Sequence, residues 1–111
     1  MDKLDRYRQL IQQLLIEQTS VPYAYGEITI ETIFDTANDR YMLADVGWDR
    51  TGRVYGIIAH IDIIGGKFWI QRDGTEESIP VMLLNKGVPR EDIVVAYRTP
   101  AERELMGFAV A

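Results

Sequence analysis

The sequence contains no cysteine and a single histidine, His60, in its 111 residues. Without cysteine the chain can form no disulfide, no thiolate zinc site and no cysteine nucleophile. One histidine cannot supply a histidine-rich metal site or a multi-histidine proton relay. Serine is scarce as well: Ser20 and Ser78 suit turn or cap positions, and neither lies in a Gly-x-Ser-x-Gly elbow. These absences remove most of the familiar catalytic constellations.

Positive charge is also scarce, with 12 Lys and Arg residues against 17 Asp and Glu, a net charge of −5 and a pI near 4.8. Proteins that bind nucleic acid gain much of their affinity by neutralising phosphates with cations, so direct nucleic-acid binding is not expected. The sequence shows no signal peptide and no apolar run long enough to span a bilayer. We therefore expect a cytoplasmic protein that contacts no membrane, with one domain over residues 1–111.

Hydrophobic periodicity predicts an α+β fold. Apolar residues spaced by three and four predict a helix over residues 3–18, with Asp2 as its N-cap. Four β-rich segments follow, near residues 28–35, 41–48, 53–64 and 67–72, with short turns between them. They predict an antiparallel four-stranded meander with the N-terminal helix packed on one face. A second helix is predicted over residues 78–86, after the meander, and residues 93–97 could add a fifth short strand.

The Gly65-Gly66 turn is typical of a two-residue hairpin and fixes the register of the last two strands of the meander. It predicts that Ile61 lies opposite Ile70 and that His60 lies opposite Gln71. Alternation of side chains then predicts a core face beneath the first helix. Its members are Tyr55, Ile57, Ala59, Ile61, Ile63, Phe68 and Ile70, with Met42, Ala44, Val46 and Trp48 from the second strand.

The opposite face of the predicted sheet is neither polar nor fully apolar. Alternation assigns to it Val54, Gly56, Ile58, His60, Asp62, Trp69 and Gln71, together with Tyr41, Leu43 and Asp45. Exposed apolar patches usually mark interfaces, so we expect this face to be covered by the C-terminal segment, a second copy of the chain or a different protein. The candidate interaction surface comprises Tyr41, Leu43, Ile58, His60, Asp62, Trp69, Gln71 and, from the apolar tail, Phe108.

His60 and Asp62, two residues apart on this face, are the best candidates for chemistry. A histidine beside a carboxylate can act as a general base or as half of a metal site. With no third ligand evident, a hydrogen-bonded pair at the edge of an interface is the better interpretation. The other acids lack the spacing of a cation-binding loop, and the glycines match no phosphate-binding motif. We therefore expect no catalytic residue, no metal and no cofactor.

Several segments, in order along the whole chain, form a distinctive set. They are Met1-Asp2-Lys3-Leu4 with Tyr7-Arg8, Asp45-Val46-Gly47-Trp48-Asp49, His60-Ile61-Asp62-Ile63, Lys67-Phe68-Trp69-Ile70-Gln71-Arg72-Asp73-Gly74-Thr75-Glu76, Gly87-Val88-Pro89, Glu91-Asp92-Ile93-Val94 and Phe108-Ala109-Val110-Ala111. Together they resemble the XisI family, the fdxN element excision controlling factors. The agreement is weakest over residues 98–107.

The resemblance implies a cyanobacterial accessory protein in the excision of a DNA element during heterocyst differentiation. It also implies partners, namely a nuclease-like companion, XisH, and a site-specific recombinase, and it supplies no catalytic residues. We therefore expect a non-catalytic controlling factor that acts by binding another protein, with a homo-oligomer as a further option. Two alternatives stay open: an inhibitor or antitoxin-like partner of the companion, and a metal-dependent nucleic-acid enzyme that uses His60 and Asp62.

Overall fold

Three helices and one five-stranded sheet make up the described part of the chain, which in this computed structural model is residues 2–20 and 26–111. In chain order the elements are α1 (Lys3–Gln18), β1 (Glu27–Asp35), β2 (Arg40–Asp49), β3 (Gly52–Ile64), β4 (Lys67–Asp73), α2 (Ile79–Asn85), a 3₁₀ turn (Arg90–Asp92), β5 (Ile93–Val95) and α3 (Pro100–Met106).

The first helix has the predicted bounds and the predicted N-cap. The side chain of Asp2 accepts a hydrogen bond of 2.8 Å from the backbone N–H of Asp5, which satisfies a donor that the helix itself cannot pair. One stripe of α1 is buried against the sheet, and it consists of Tyr7, Ile11, Leu14 and Leu15. The ring centres of Tyr7 and of Phe68 in β4 are 4.6 Å apart, so the helix covers the core face as expected.

The sheet has the strand order β1-β2-β3-β4-β5 and is mixed. The first four strands form the predicted antiparallel meander. The fifth strand is present, and it runs parallel to β4 because α2 and the 3₁₀ turn carry the chain back along the sheet before β5 begins. A third helix, α3, follows β5 and was not part of the predicted fold.

Two β-bulges interrupt the ladders on either side of β3. Between β2 and β3, Leu43 pairs with Ala59 and the next residue, Ala44, pairs with Ile57, which leaves Ile58 as the extra residue. Between β3 and β4 the Gly65-Gly66 turn sets the predicted register as far as Ile61 and Ile70. His60 then lies opposite Arg72, so the predicted pairing of His60 with Gln71 is wrong.

The predicted faces of β2 are reversed in the structure. Tyr41 pairs with Ile61 and Leu43 with Ala59, and all four side chains are buried beneath α1. Tyr41 and Leu43 therefore belong to the core, and the prediction that they lie on the second face is wrong. Both faces of β2 carry apolar residues, so alternation alone does not choose between them. The larger apolar pair, Tyr41 and Leu43, removes more surface from water than Met42 and Ala44.

The bulge in β3 also reverses the first half of that strand. Ala59, Ile61 and Ile63 are buried as predicted, but Tyr55 and Ile57 were predicted in the core and are exposed. The extra residue, Ile58, shifts the alternation so that the side chains before it point to the other face. Ile58 itself packs half-buried against the core.

One buried acid joins α1 to the turn that precedes β5. The Tyr7 hydroxyl donates to Asp92 at 2.6 Å, and the Lys3 ammonium lies 2.7 Å from the same carboxylate oxygen. Burial alone would raise the pKa of Asp92, but the hydrogen bonds from Lys3 and Tyr7 outweigh it and lower that pKa below its usual value. Burial and the same hydrogen bond raise the pKa of Tyr7 to about 12.

A second acid joins α1 to the β1–β2 turn. Arg8 donates from Nε and Nη2 to the two carboxylate oxygens of Asp39, at 2.8 and 3.0 Å, and the Tyr41 hydroxyl donates to Asp39 at 2.9 Å. The Arg8 hydrogen bonds lower the pKa of Asp39, while burial and Asp39 raise the pKa of Tyr41 to about 12. The helix is therefore fixed to the sheet by polar contacts as well as apolar packing.

Within residues 2–20 and 26–111, no helix is both long and apolar enough to cross a bilayer.

Candidate interaction surface

The outer face is the face of the sheet opposite α1. Because cross-strand partners point to the same side, the register assigns its members in rows. From one end of the sheet to the other the rows are Glu27–Trp48–Arg53, Thr29–Val46–Tyr55, Glu31–Ala44–Ile57, Ile33–Met42–His60–Arg72 and Asp35–Arg40–Asp62–Trp69–Val94.

The polar part of the outer face centres on Asp62. His60 Nε2 lies 2.8 Å from one oxygen of Asp62, and Gln71 donates from Nε2 to the other oxygen at 3.3 Å. Both His60 and Asp62 are partly buried. The two residues thus form the hydrogen-bonded pair that the sequence predicted, and each Asp62 oxygen already has a partner within the sheet.

The C-terminal segment covers the β5 end of the outer face. Arg103 of α3 donates to the carbonyl oxygens of Val95, Ala96 and Val110, and its guanidinium carbon lies 5.7 Å from the centre of a Trp69 ring. Val94, the outward residue of β5, is completely buried. Own-chain cover, one of the three expected kinds, therefore accounts for this end of the face.

Phe108, in the same segment, does not project as an exposed side chain that a partner could bind. Its ring is half-buried against the core, and the guanidinium of Arg90 lies 5.0 Å from the ring centre. The backbone N–H of Ala109 donates to the carbonyl of Ile93 at 3.0 Å, which holds the tail beside β5. Phe108 therefore packs as part of the fold beside β5.

The opposite end of the outer face carries exposed apolar side chains. Their exposed fractions are 78% for Tyr55, 58% for Trp48, 48% for Ile33 and 38% for Ile57. Together with Met42, Ala44 and Val46, which lie between them in the rows, they form what we call the apolar wing. The wing spans β1, β2 and the first half of β3.

Charged residues border the apolar wing. Along β1 the acids Glu27, Glu31 and Asp35 occupy every second outward position. On the β3 side, the guanidinium of Arg53 lies 5.5 Å from the Trp48 ring centre. An apolar centre with a charged rim is the usual anatomy of a surface that binds protein.

The structure brings together four of the eight predicted surface residues: His60, Asp62, Trp69 and Gln71 share the outer face. The other four, Tyr41, Leu43, Ile58 and Phe108, are buried or half-buried against the core.

Sequence reasoning missed Trp48, Tyr55 and Ile57 as surface residues, because it placed them in the core. The charged residues of β1 and β3 were a signal that these side chains point outward. Arg53 follows the turn directly, and Glu27, Glu31 and Asp35 mark the outward positions of β1. A strand that continues those rows must place Trp48 and Tyr55 outward with them.

The described residues include no group of three or more histidine or acidic side chains that could hold a metal ion. An open depression of about 450 Å³ lies beside the β3 bulge, lined by Asp45, Gly56, Ile57, Ile58, Arg72 and Gly74. The outer face offers exposed apolar area for contact with another molecule.

Comparison with known proteins agrees with this fold. The family model described as XisI protein matches residues 1–110, and no curated protein matches the chain. The crystal structure of a XisI-like protein from Anabaena variabilis ATCC 29413 is 34% identical, with a TM-score of 0.84, over 97% of this chain and 99% of that one. That of the fdxN element excision controlling factor XisI from the same strain is 35% identical, with a TM-score of 0.78, over 99% and 100%. The chain belongs to the XisI family.

Proposed function

We propose that this chain is a non-catalytic controlling factor in the excision of a DNA element, and that it acts by binding another protein through the apolar wing. The observation that supports the proposal most directly is the exposure of Trp48 and Tyr55 beside Ile33 and Ile57. Two aromatic side chains of this kind bring on the order of 300 Å² of surface to a contact. Tryptophan and tyrosine are also the residues that most often dominate binding energy at interfaces.

The partner we propose is a XisH-like, nuclease-like companion, with a site-specific recombinase as a further member of the assembly. The family supports the role of controlling factor, since a solved relative carries that description. The chain's net charge of −5 favours a protein partner over naked DNA, because few cations are available to replace phosphate counterions.

Inhibition of the companion by DNA mimicry has weaker support. The acids Glu27, Glu31 and Asp35 are four residues apart, which in a strand is about 13 Å. Phosphates of one DNA strand follow each other at about 3.4 Å along the helix axis, so this row is too sparse to imitate a phosphate backbone. An inhibitor that used the apolar wing would not need such mimicry.

Catalysis by His60 and Asp62 also has weaker support. The Asp62 oxygens are held by His60 and Gln71. A metal at this pair would need ligands that the described part of the chain does not bring together. Under the proposal, His60→Ala leaves both complex formation and any metal-dependent nuclease activity of the complex unchanged, whereas loss of that activity would favour an enzyme.

Co-expression with the XisH-like companion tests the proposal. The tagged chain should retain the companion through affinity purification and gel filtration with light scattering. Trp48→Ala and Tyr55→Ala should each weaken the complex by about 10- to 30-fold, as expected for interface anchors.

Tyr97→Ala is the matched control, because Tyr97 is an exposed tyrosine that follows β5, away from the wing. It should bind like the unmodified chain. Failure of the unmodified chain to form any complex, or equal weakening by Tyr97→Ala, would argue against the proposal. A dimer of the chain alone that Tyr55→Ala dissociates would assign the wing to self-association instead.

A further inference from the structure

The two edges of the sheet are protected to different degrees. At β5 the C-terminal segment occupies the edge: Ala109 donates to the carbonyl of Ile93, and both Arg98 N–H and Arg103 Nε donate to the carbonyl of Val95. At the other edge, β1 pairs with β2 over nine consecutive residues without a bulge, and no described strand lies on its far side.

An edge strand presents unpaired backbone groups along one side. About half of the N–H and C=O groups of β1 point away from β2, because the backbone groups of successive residues alternate in direction. The strand contains no proline, no lysine and no bulge, so its acidic side chains are the one protective device that it carries. Its length is therefore available as a template for one more strand.

The acids of β1 determine which strand can be added. If two copies paired antiparallel about Glu31, Glu31 would face its counterpart and Glu27 would face Asp35, so like charges would meet in every outward acidic pair. Like charges directly opposite each other across a ladder are destabilising, and opposite charges are stabilising. The row thus disfavours a second copy in that register and favours a strand that carries cations at the matching positions.

We propose that the free edge of β1 is a strand-addition site for an extended segment of another protein with lysine or arginine at every fourth residue. The main-chain ladder would supply affinity, and the cations opposite Glu27, Glu31 and Asp35 would supply selectivity. The inference goes beyond the proposed function, since the edge groups of β1 are distinct from the side chains of the apolar wing.

A synthetic peptide tests it directly. The probe has nine residues, matching the length of β1, with the sequence Lys-Thr-Val-Thr-Lys-Thr-Val-Thr-Lys and blocked ends. Titration into the isotopically labelled chain should shift amide signals of residues 27–35 more than those of β5 or α3. Affinity should fall when salt is raised from about 0.05 to about 0.5 M, because exposed charge pairs are screened.

Two peptide controls separate strand addition from simple charge attraction. A peptide with glutamate in place of lysine should bind at least about tenfold more weakly, because three attractive pairs become repulsive. A lysine peptide N-methylated at alternate residues keeps its charge but cannot complete a ladder, and it should also lose binding. Equal binding of the N-methylated peptide, shifts concentrated outside β1, or no binding by the lysine peptide would each overturn the proposal.

Variants of the protein complete the test. Glu27→Lys combined with Glu31→Lys should reduce affinity for the lysine peptide by about tenfold. Glu76→Lys with Glu77→Lys makes the same charge change at two exposed residues between β4 and α2 and should leave affinity unchanged. Circular dichroism and thermal unfolding establish that each variant is folded. An equal loss of affinity in both double variants would show that net charge alone governs binding, and it would contradict a binding site at β1.

Discussion

Ala44 of β2 lies opposite Ile57 of β3, although the preceding residue, Leu43, lies opposite Ala59. The pairing thus advances by two residues on β3 and by one on β2, which changes the side chains of β3 that reach the surface. It turns Tyr55 and Ile57 away from α1 and aligns them with Trp48 and Ile33. The bulge at Ile58 therefore allows Tyr55 and Ile57 to join the apolar wing while Ala59 and Ile61 stay in the core.

Above pH 10 the fold should lose stability steeply. Tyr7 and Tyr41 have pKa values raised to about 12 by burial and by their hydrogen bonds to Asp92 and Asp39. A group whose pKa is higher when folded contributes stability that is complete below its unfolded value, about 10, and lost as the pH rises toward 12. Urea midpoints at pH 8, 10 and 11.5 should show this decline.

Phenylalanine variants identify the tyrosines responsible. Tyr41→Phe should be less stable at pH 8, because Asp39 loses a donor, but should lose less additional stability between pH 10 and 12. Tyr55→Phe changes a largely exposed tyrosine and should keep the alkaline decline of the unmodified chain. Identical alkaline profiles for all three proteins would contradict the assignment.

Asp92→Asn should destabilise the chain by about 2–3 kcal/mol at pH 7, because it weakens the contacts with Lys3 and Tyr7 at a buried position. The pKa of Asp92 is lower in the fold, so its contribution is present above about pH 4 and is lost as the pH falls below that. The variant should therefore lose less stability on acidification. Glu91→Gln, at the exposed neighbouring residue, is the control for urea unfolding at pH 7 and pH 3, and an equal effect would refute the role given to Asp92.

Gly47→Ala should destabilise β1 against β2. At this position, φ is +157°, and an added Cβ would overlap the carbonyl oxygen of Glu27. We expect a loss of about 3 kcal/mol, because the obstructing atom belongs to the backbone and the strands must separate to relieve it. Amide exchange should accelerate mainly in β1. In Gly56→Ala the new Cβ meets only Asp45 Oδ1, at 3.6 Å, and this variant should stay within about 1 kcal/mol of the parent.

Arg103→Ala should open the covered end of the outer face. The side chain holds the carbonyls of Val95, Ala96 and Val110 and lies over Trp69, so its loss should cost about 1–2 kcal/mol. In a Trp48→Phe background, Trp69 emission should shift to longer wavelength as water reaches the ring. Arg98→Ala, whose exposed guanidinium lies 3.8 Å from Glu102, should leave the emission unchanged. An unshifted spectrum for Arg103→Ala would contradict this cover.

Local signals in the sequence were sufficient for most elements. The stripe from Leu4 to Gln18 and the Asp2 cap specified α1, and the Gly65-Gly66 turn specified the pairing of β3 with β4 up to Ile61. The α3 helix had an equally local signal that the prediction did not use. Thr99 and Glu102 form a capping box, Pro100 occupies the first turn, and Gly107 ends the helix in the left-handed region.

Other features depended on tertiary contacts that no short segment encodes. The bulges at Ile58 and Gln71 have no characteristic residue, and β-branched residues fill both faces of β3 around the first of them. The choice of Tyr41 and Leu43 for the core depended on their partners Ile61 and Ala59 and on α1 above them. The placement of His60, Asp62, Trp69 and Gln71 on one face was therefore predicted correctly, whereas the placement of Tyr41, Leu43 and Ile58 was wrong because a reversed face or a bulge intervened.

Amide exchange of the chain alone and in complex with the XisH-like companion would show whether the apolar wing binds a protein partner. We expect protection concentrated in residues 40–57 of β2 and β3, and a loss of that protection with Tyr55→Ala but not with Tyr97→Ala. Protection confined to α1, or to the segment after β5, in a stable complex would contradict binding through the wing.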